Sequence, residues 1–153
     1  MHKTPGTTVA VFTLLVLSVI QILATGPLGA TSTRDLNSQS EFDKTVAALQ
    51  KQVDIGPNNP ESWYRLAELY SEKVRSDAAL PAELAKQYVA SGLKCASWAL
   101  KLEHNYYEAV LLTGVLLRQS AAYEKDPVSQ KRLLAEAEAF EQRAALEARR
   151  KYR

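Results

Sequence analysis

The chain has 153 residues, with 46% apolar and 24% charged side chains and a formal net charge of +2. That is the composition of a folded domain with one accessory segment, not of a disordered chain, and it offers no bulk electrostatic argument for nucleic acid. One cysteine, Cys95, excludes an internal disulfide and any multi-cysteine zinc site. Six glycines and six prolines, against an abundance of Ala, Leu, Glu, Lys and Gln, favour helix over sheet.

The first element is apolar. From Val9 to Ala24 there is no charge, and none lies between Lys3 and Arg34. His2, Lys3 and the free amine precede the run, the layout of a signal anchor or a signal peptide. Sixteen residues make about 24 Å of helix, and counting residues 7–28 brings the run to a membrane span. Ala24-Thr25-Gly26 would be a cleavage site but for Pro27 behind it. Residues 1–30 are therefore read as a single-pass anchor, touching the membrane through residues 9–28. The amino terminus would lie in the cytoplasm and the rest on the opposite side. The alternative is a cleaved signal and a periplasmic or secreted protein, which sequencing of the mature amino terminus separates. Residues 31–39 are small and polar, without period, and predict a flexible linker.

A helical domain over 40–153 follows. Ser40 suits an N-cap with Glu41 and Asp43 in the first turn. Phe42, Val46, Leu49 and Val53 form one stripe, stopped by Gly56 and Pro57. Asn59 caps the next helix and Pro60 fits its first position. Trp63, Leu66, Ala67 and Tyr70 then recur at i, i+3, i+4 and i+7. A fresh start at Pro81 predicts a helix over 82–103, with Leu84, Tyr88, Gly92, Cys95, Ala96, Ala99, Leu100 and Leu102 facing a core. Tyr106 to about Tyr123 carries Val110, Leu111, Gly114 and Leu117. Asp126-Pro127 opens a last helix whose buried stripe is Leu133, Leu134, Ala137, Phe140, Ala144 and Leu146. Its acidic and basic residues, Glu136, Glu138, Glu141, Arg143, Glu147 and Arg149, belong to the solvent side.

Two junctions carry a family resemblance. One runs from Ile55 to Ala67 (Ile-Gly-Pro-Asn-Asn-Pro-Glu-Ser-Trp-Tyr-Arg-Leu-Ala), the other from Ala99 to Ala109 and on to Gly114. Over roughly residues 41–122 the chain resembles the tetratricopeptide repeat family. Ala99, Leu102, Asn105, Glu108, Ala109 and Gly114 match its pattern, and His104 stands where the family has proline. Trp63 to Val110 spans 47 residues, against a usual repeat of about 34, so the copies are lengthened between Tyr70 and Gly92. The resemblance implies an all-α fold of about five helices in antiparallel hairpins, preceded by the apolar N-terminal helix. The small residues Ala67 and Gly114 would sit where partner helices cross. With only two copies, the first and last helices are expected to close the ends.

The resemblance also implies a function: a non-enzymatic scaffold or accessory subunit, tethered to a membrane, that grips a protein partner in a groove. The groove-facing candidates are Tyr64, Glu68 and Ser71 from one copy and Leu111, Val115 and Arg118 from the next. Members that bind chaperones hold a terminal carboxylate with lysine and asparagine; Tyr64 and Glu68 in those places argue against that ligand. Trp63, Tyr64, Tyr106 and Tyr107 invite reading as an aromatic patch, with Trp63 assigned to the core. No cofactor, nucleic acid or small-molecule substrate is expected. An enzyme built on Cys95 or His104 is disfavoured, because neither has a base or ligand partner at a useful spacing. The tail Arg149-Arg150-Lys151-Tyr152-Arg153 reads as a solvated helix end suited to the dipole.

Overall fold

The computed structural model describes the backbone of residues 33–151 and the side chains of residues 37–150. The expected anchor at 1–30, its membrane contact and its placement in a compartment lie outside these residues. Among the described residues the chain is all helical: α1 (Thr33–Ile55), α2 (Pro60–Ser76), α3 (Ala82–Leu102), α4 (Tyr107–Ala122) and α5 (Pro127–Lys151). None of these is long and apolar enough to cross a membrane. The segment from Phe42 onward forms one compact unit.

The starts of α2 and α5 follow from their caps. The Asn59 side chain accepts from the Glu61 N–H at 3.0 Å, and Pro60 takes the first position. Asp126 accepts from the Ser129 N–H at 2.9 Å, one residue before Pro127. Helix α1 differs from expectation. It begins at Thr33, not Ser40, so Thr33–Gln39 is helical and not an irregular linker. No glycine or proline lies between Gly29 and Gly56, and a helix once nucleated propagates until something stops it.

The helices pack as hairpins. Trp63 near the start of α2 stacks on Trp98 near the end of α3, with centroids 5.6 Å apart, and Tyr70 meets Tyr88 further along. The two helices are therefore antiparallel. Helices α4 and α5 repeat this: Ala121 bonds Gln130, and Gly114 lies against Ala137 and Phe140. Both crossings need small residues. Ala67 is fully buried, and a Cβ on Gly92 would stand 3.4 Å from the Ala67 carbonyl oxygen. A Cβ on Gly114 would meet the Ala137 carbonyl oxygen at 3.2 Å. Helix α1 closes one end through Phe42, whose ring lies 5.1 Å from Tyr88 and 6.0 Å from Tyr70. Lys73, expected from nothing in the pattern, is buried there. Its ammonium pairs with Asp77 at 2.9 Å and lies 5.6 Å from the Phe42 centroid.

Four leucines assigned to the core are exposed: Leu102, Leu111, Leu134 and Leu146. Leu102 is the last residue of α3, beyond the crossing. Leu146 lies nine residues past Ala137 and two past Ala144, which at about 100° per residue turns it away from the buried side of α5. Leu49 is half-buried, while Ala85 and Val89, not in the expected stripe, are buried. Of the solvent-side residues on α5, Glu141, Arg143 and Glu147 are half-buried.

Cys95 sits in this core, 2% exposed, and burial pushes its thiol up to about 12. Tyr70 is likewise raised to about 12 by burial. Both groups fold in their neutral form, so their contribution to stability is intact below the unfolded values near 9.0 and 10.0 and is lost as pH rises toward 12. The expected result is a thiol that a disulfide reagent does not label at pH 8 until denaturant is added. A melting temperature that falls steadily above about pH 9 should accompany it. Prompt labelling of the native protein would contradict this packing.

Candidate functional site

Helices α2 and α4 lie side by side and run in the same direction. The Tyr106 hydroxyl, one residue before α4, donates to Glu61 in the first turn of α2, a separation of 45 residues. Near the other end the Gln119 amide donates to the Ser71 carbonyl at 3.0 Å, a separation of 48. The two contacts bracket the 47-residue offset read between the junctions. In both helices the stripe that builds the core leaves an opposite face outward.

On that face the structure places five of the six groove candidates at least partly in solvent. Tyr64 is half-buried and its hydroxyl donates to exposed Glu68 at 2.7 Å. Leu111 and Val115 are 40% and 38% exposed, one turn apart on α4. Arg118 is exposed and engages Glu141 of α5 with two hydrogen bonds, Nε to Oε1 at 2.5 Å and Nη2 to Oε2 at 2.7 Å. That pairing holds the Glu141 carboxyl below its usual range. Ser71 is the exception. It is 6% exposed, and its hydroxyl donates to Gln119 at 3.2 Å. The neighbouring parallel helix covers it, so it joins α2 to α4 and offers nothing to a ligand.

Where α2 and α4 begin, the face opens into a cleft of about 740 Å³. Tyr64, Tyr106 and Tyr107 line it together with Glu61, Glu103, Glu108 and Glu147; Asn105 and Arg150 complete the wall. Tyr64 and Tyr106 meet with centroids 5.4 Å apart. Burial first, and then the carboxylates that accept from them, raise both phenols, Tyr64 through Glu68 and Tyr106 through Glu61. Both rings are neutral across the physiological range. Glu61 is held below the usual carboxylate range, first by the Tyr106 hydroxyl and then by Arg65, whose Nε lies 2.6 Å away. It is therefore an anion.

The sequence pointed to Tyr64, Tyr106 and Tyr107 as an aromatic patch, and the structure brings these three together. Trp63 instead is 6% exposed, with its indole N–H bonded to the Pro57 carbonyl at 2.8 Å. The acidic part of the cleft went unread, because Glu61, Glu103 and Glu147 come from three different segments and no spacing relates them. His104 is exposed at the α3–α4 turn, and its backbone carbonyl accepts from Arg143. Among the described residues no group of His, Cys, Asp and Glu is arranged to hold a metal ion. No family model matches this chain, and no curated protein matches it.

Proposed function

We propose that this protein is a membrane-tethered, tetratricopeptide-like scaffold that holds a protein partner on the face shared by α2 and α4. The observation that carries this reading is the pair of exposed apolar residues, Leu111 and Val115, beside an aromatic cleft on two parallel helices. Single exposed leucines need no explanation. Here Tyr107, Leu111, Val115 and Arg118 recur at i, i+4, i+8 and i+11, which puts them on one side of one helix. Two hairpins crossing at Ala67–Gly92 and Gly114–Ala137 support the repeat-like reading. A rigid stack of this kind supplies contact area without a reaction centre, and the apolar segment at 9–28 would raise the local concentration of the partner at a membrane.

Site-specific photocrosslinking in native membranes tests the proposal. A benzophenone side chain at Val115 should give one discrete product, and the same group at Lys94, exposed on α3, should give none. Equal products from both positions, or none from either, would remove the assignment of this face.

A further inference from the structure

The outward side of α5 is not built like the end of a helical stack, which needs a polar outer face. Ala137, against Gly114, and Ala144 are buried. At about 100° per residue the opposite line of the helix runs through Val128, Ala135, Ala139, Gln142 and Leu146. All five are exposed, Val128 by 77% and Leu146 by 57%. Over the first turns this line forms a shallow hollow walled by Pro127, Val128, Lys131, Arg132 and Ala135, all from α5 itself. It shares no residue with the face of α2 and α4.

We infer that this line is a self-association surface, and that its occupant is α5 of a second copy of this chain, packed antiparallel about a two-fold axis beside Leu134 and Ala135. Charge complementarity selects the occupant. Lys131 and Glu138 flank the apolar line on one side, Arg132 and Glu136 on the other. Lys131, Arg132 and Glu136 make no ion pair among the described residues. Glu138 accepts from the neutral Gln142 amide at 3.4 Å. Arg118, which feels the charge of Glu138, is held by Glu141. Asp126, which feels Arg132, caps α5 by accepting from the Ser129 N–H.

On both flanks, then, a cation precedes an anion along the helix. An isologous contact requires a surface that complements itself. A two-fold axis running across the helices turns each flank onto the same flank of the partner and reverses its direction. Lys131 then meets the partner's Glu138, and Arg132 meets the partner's Glu136. The first pairing puts the axis between Leu134 and Ala135, and the second puts it at Leu134, so the two flanks ask for one register. Each pair forms twice. Ala135 lies near the crossing, where a small side chain lets the helix axes approach, and Val128 lies near the partner's Ala139 and Gln142. A parallel pair would instead set Lys131 and Arg132 level with the same two cations, a repulsive juxtaposition.

The test uses the full chain in micelles of an uncharged detergent. Val128→Cys and Gln142→Cys proteins are mixed, one carrying a size tag, and oxidised mildly; Cys95, 2% exposed, does not compete. The mixture should give a disulfide-linked heterodimer, and Val128→Cys alone about tenfold less. Adding E136K/E138K to both chains should lower the yield about tenfold, and so should adding K131E/R132E to both. One chain with K131E/R132E and the other with E136K/E138K should regain it, because every facing pair is again of opposite sign. Circular dichroism confirms the fold of each variant, and added salt should lower the yield from the unreversed pair. Val128→Cys linking to itself as readily as to Gln142→Cys overturns the antiparallel register. A yield that the reversals leave unchanged, or that mixing does not regain, overturns the inference, as does no heterodimer at all. If no crosslink forms and K131E/R132E releases the protein from phosphatidylserine vesicles, the surface belongs to an anionic membrane instead. A dimer dissociated by Leu111→Asp and not by the reversals would move the second copy to the α2–α4 face.

Discussion

Replacing Trp63 with alanine should cost the domain about 3–5 kcal/mol, the range for emptying a buried aromatic site. Three things are lost together. The ring is 6% exposed and stacks on Trp98 at 5.6 Å. Its N–H satisfies the Pro57 carbonyl at 2.8 Å, which ties the α1–α2 turn to the first turn of α2. Trp98 in turn carries the Lys101 ammonium 4.4 Å from its centroid, an arrangement that opens once one face of Trp98 loses its cover. Single domains have only about 5–15 kcal/mol to lose, so Trp63→Ala should bring the melting midpoint down by more than roughly 10 °C. Trp63→Phe keeps most of the apolar contact and forfeits the hydrogen bond, and should cost about 1–3 kcal/mol. Arg65→Ala, two residues away, removes a pair whose members are 58% and 45% exposed; it should leave stability close to that of the wild type, because water screens an exposed pair. Denaturant midpoints of the three variants check this ordering. A Trp63→Ala protein as stable as Arg65→Ala would show that the aromatic stack is not part of the core.

The same stack marks how far the sequence reaches. Helix starts were legible wherever a side chain satisfies a local N–H, as Asn59 and Asp126 do, since capping is a matter of residues two or three apart. The stripes were legible because a helix repeats its faces every 3.6 residues. Their edges were not. A stripe states which residues share a side, but not how wide the neighbouring helix is or where it stops. Leu102 is apolar and in phase with Cys95, yet exposed because α3 ends with it. Leu111 satisfied two patterns at once, core and groove, and the structure leaves it 40% exposed and outside the core. Ser71 shows the reverse: its position along α2 pointed outward, and the parallel neighbour α4 buries it.

The cleft was less legible for the same reason. The cleft joins Glu61 to Tyr106 and brings Glu147 beside both, across three helices. Such a site is produced by the offset between α2 and α4, which is a tertiary quantity. The buried lysine is a parallel case. Lys73 reads as a surface residue in any helical pattern, and Asp77, the residue that follows its helix, and Phe42 from α1 account for its burial.

Leu116→Ala should be the second most damaging change, at about 2–5 kcal/mol. Leu116 is among the largest fully buried side chains. Its methyl groups lie over Gly92, where a Cβ would stand 2.8 Å from one and 3.4 Å from the other. The leucine fills space that exists because residue 92 of α3 has no side chain. Gly92→Ala alone therefore has opposing effects. It gains about 1 kcal/mol of helix propensity, and it pushes a methyl into a side chain with no solvent to move into, an overpacking cost of about 1–3 kcal/mol. With Leu116 already shortened, that collision disappears and the new methyl fills part of the void. Gly92→Ala should then stabilise by about 1 kcal/mol. The double mutant should accordingly be more stable than Leu116→Ala alone, with a coupling of about 1–3 kcal/mol between the two sites. Urea unfolding of the wild type, the two single variants and the double variant measures that coupling. Strict additivity would mean that α3 and α4 do not meet at this point, and with it would go the rigid register between the hairpins that sets the α2–α4 face.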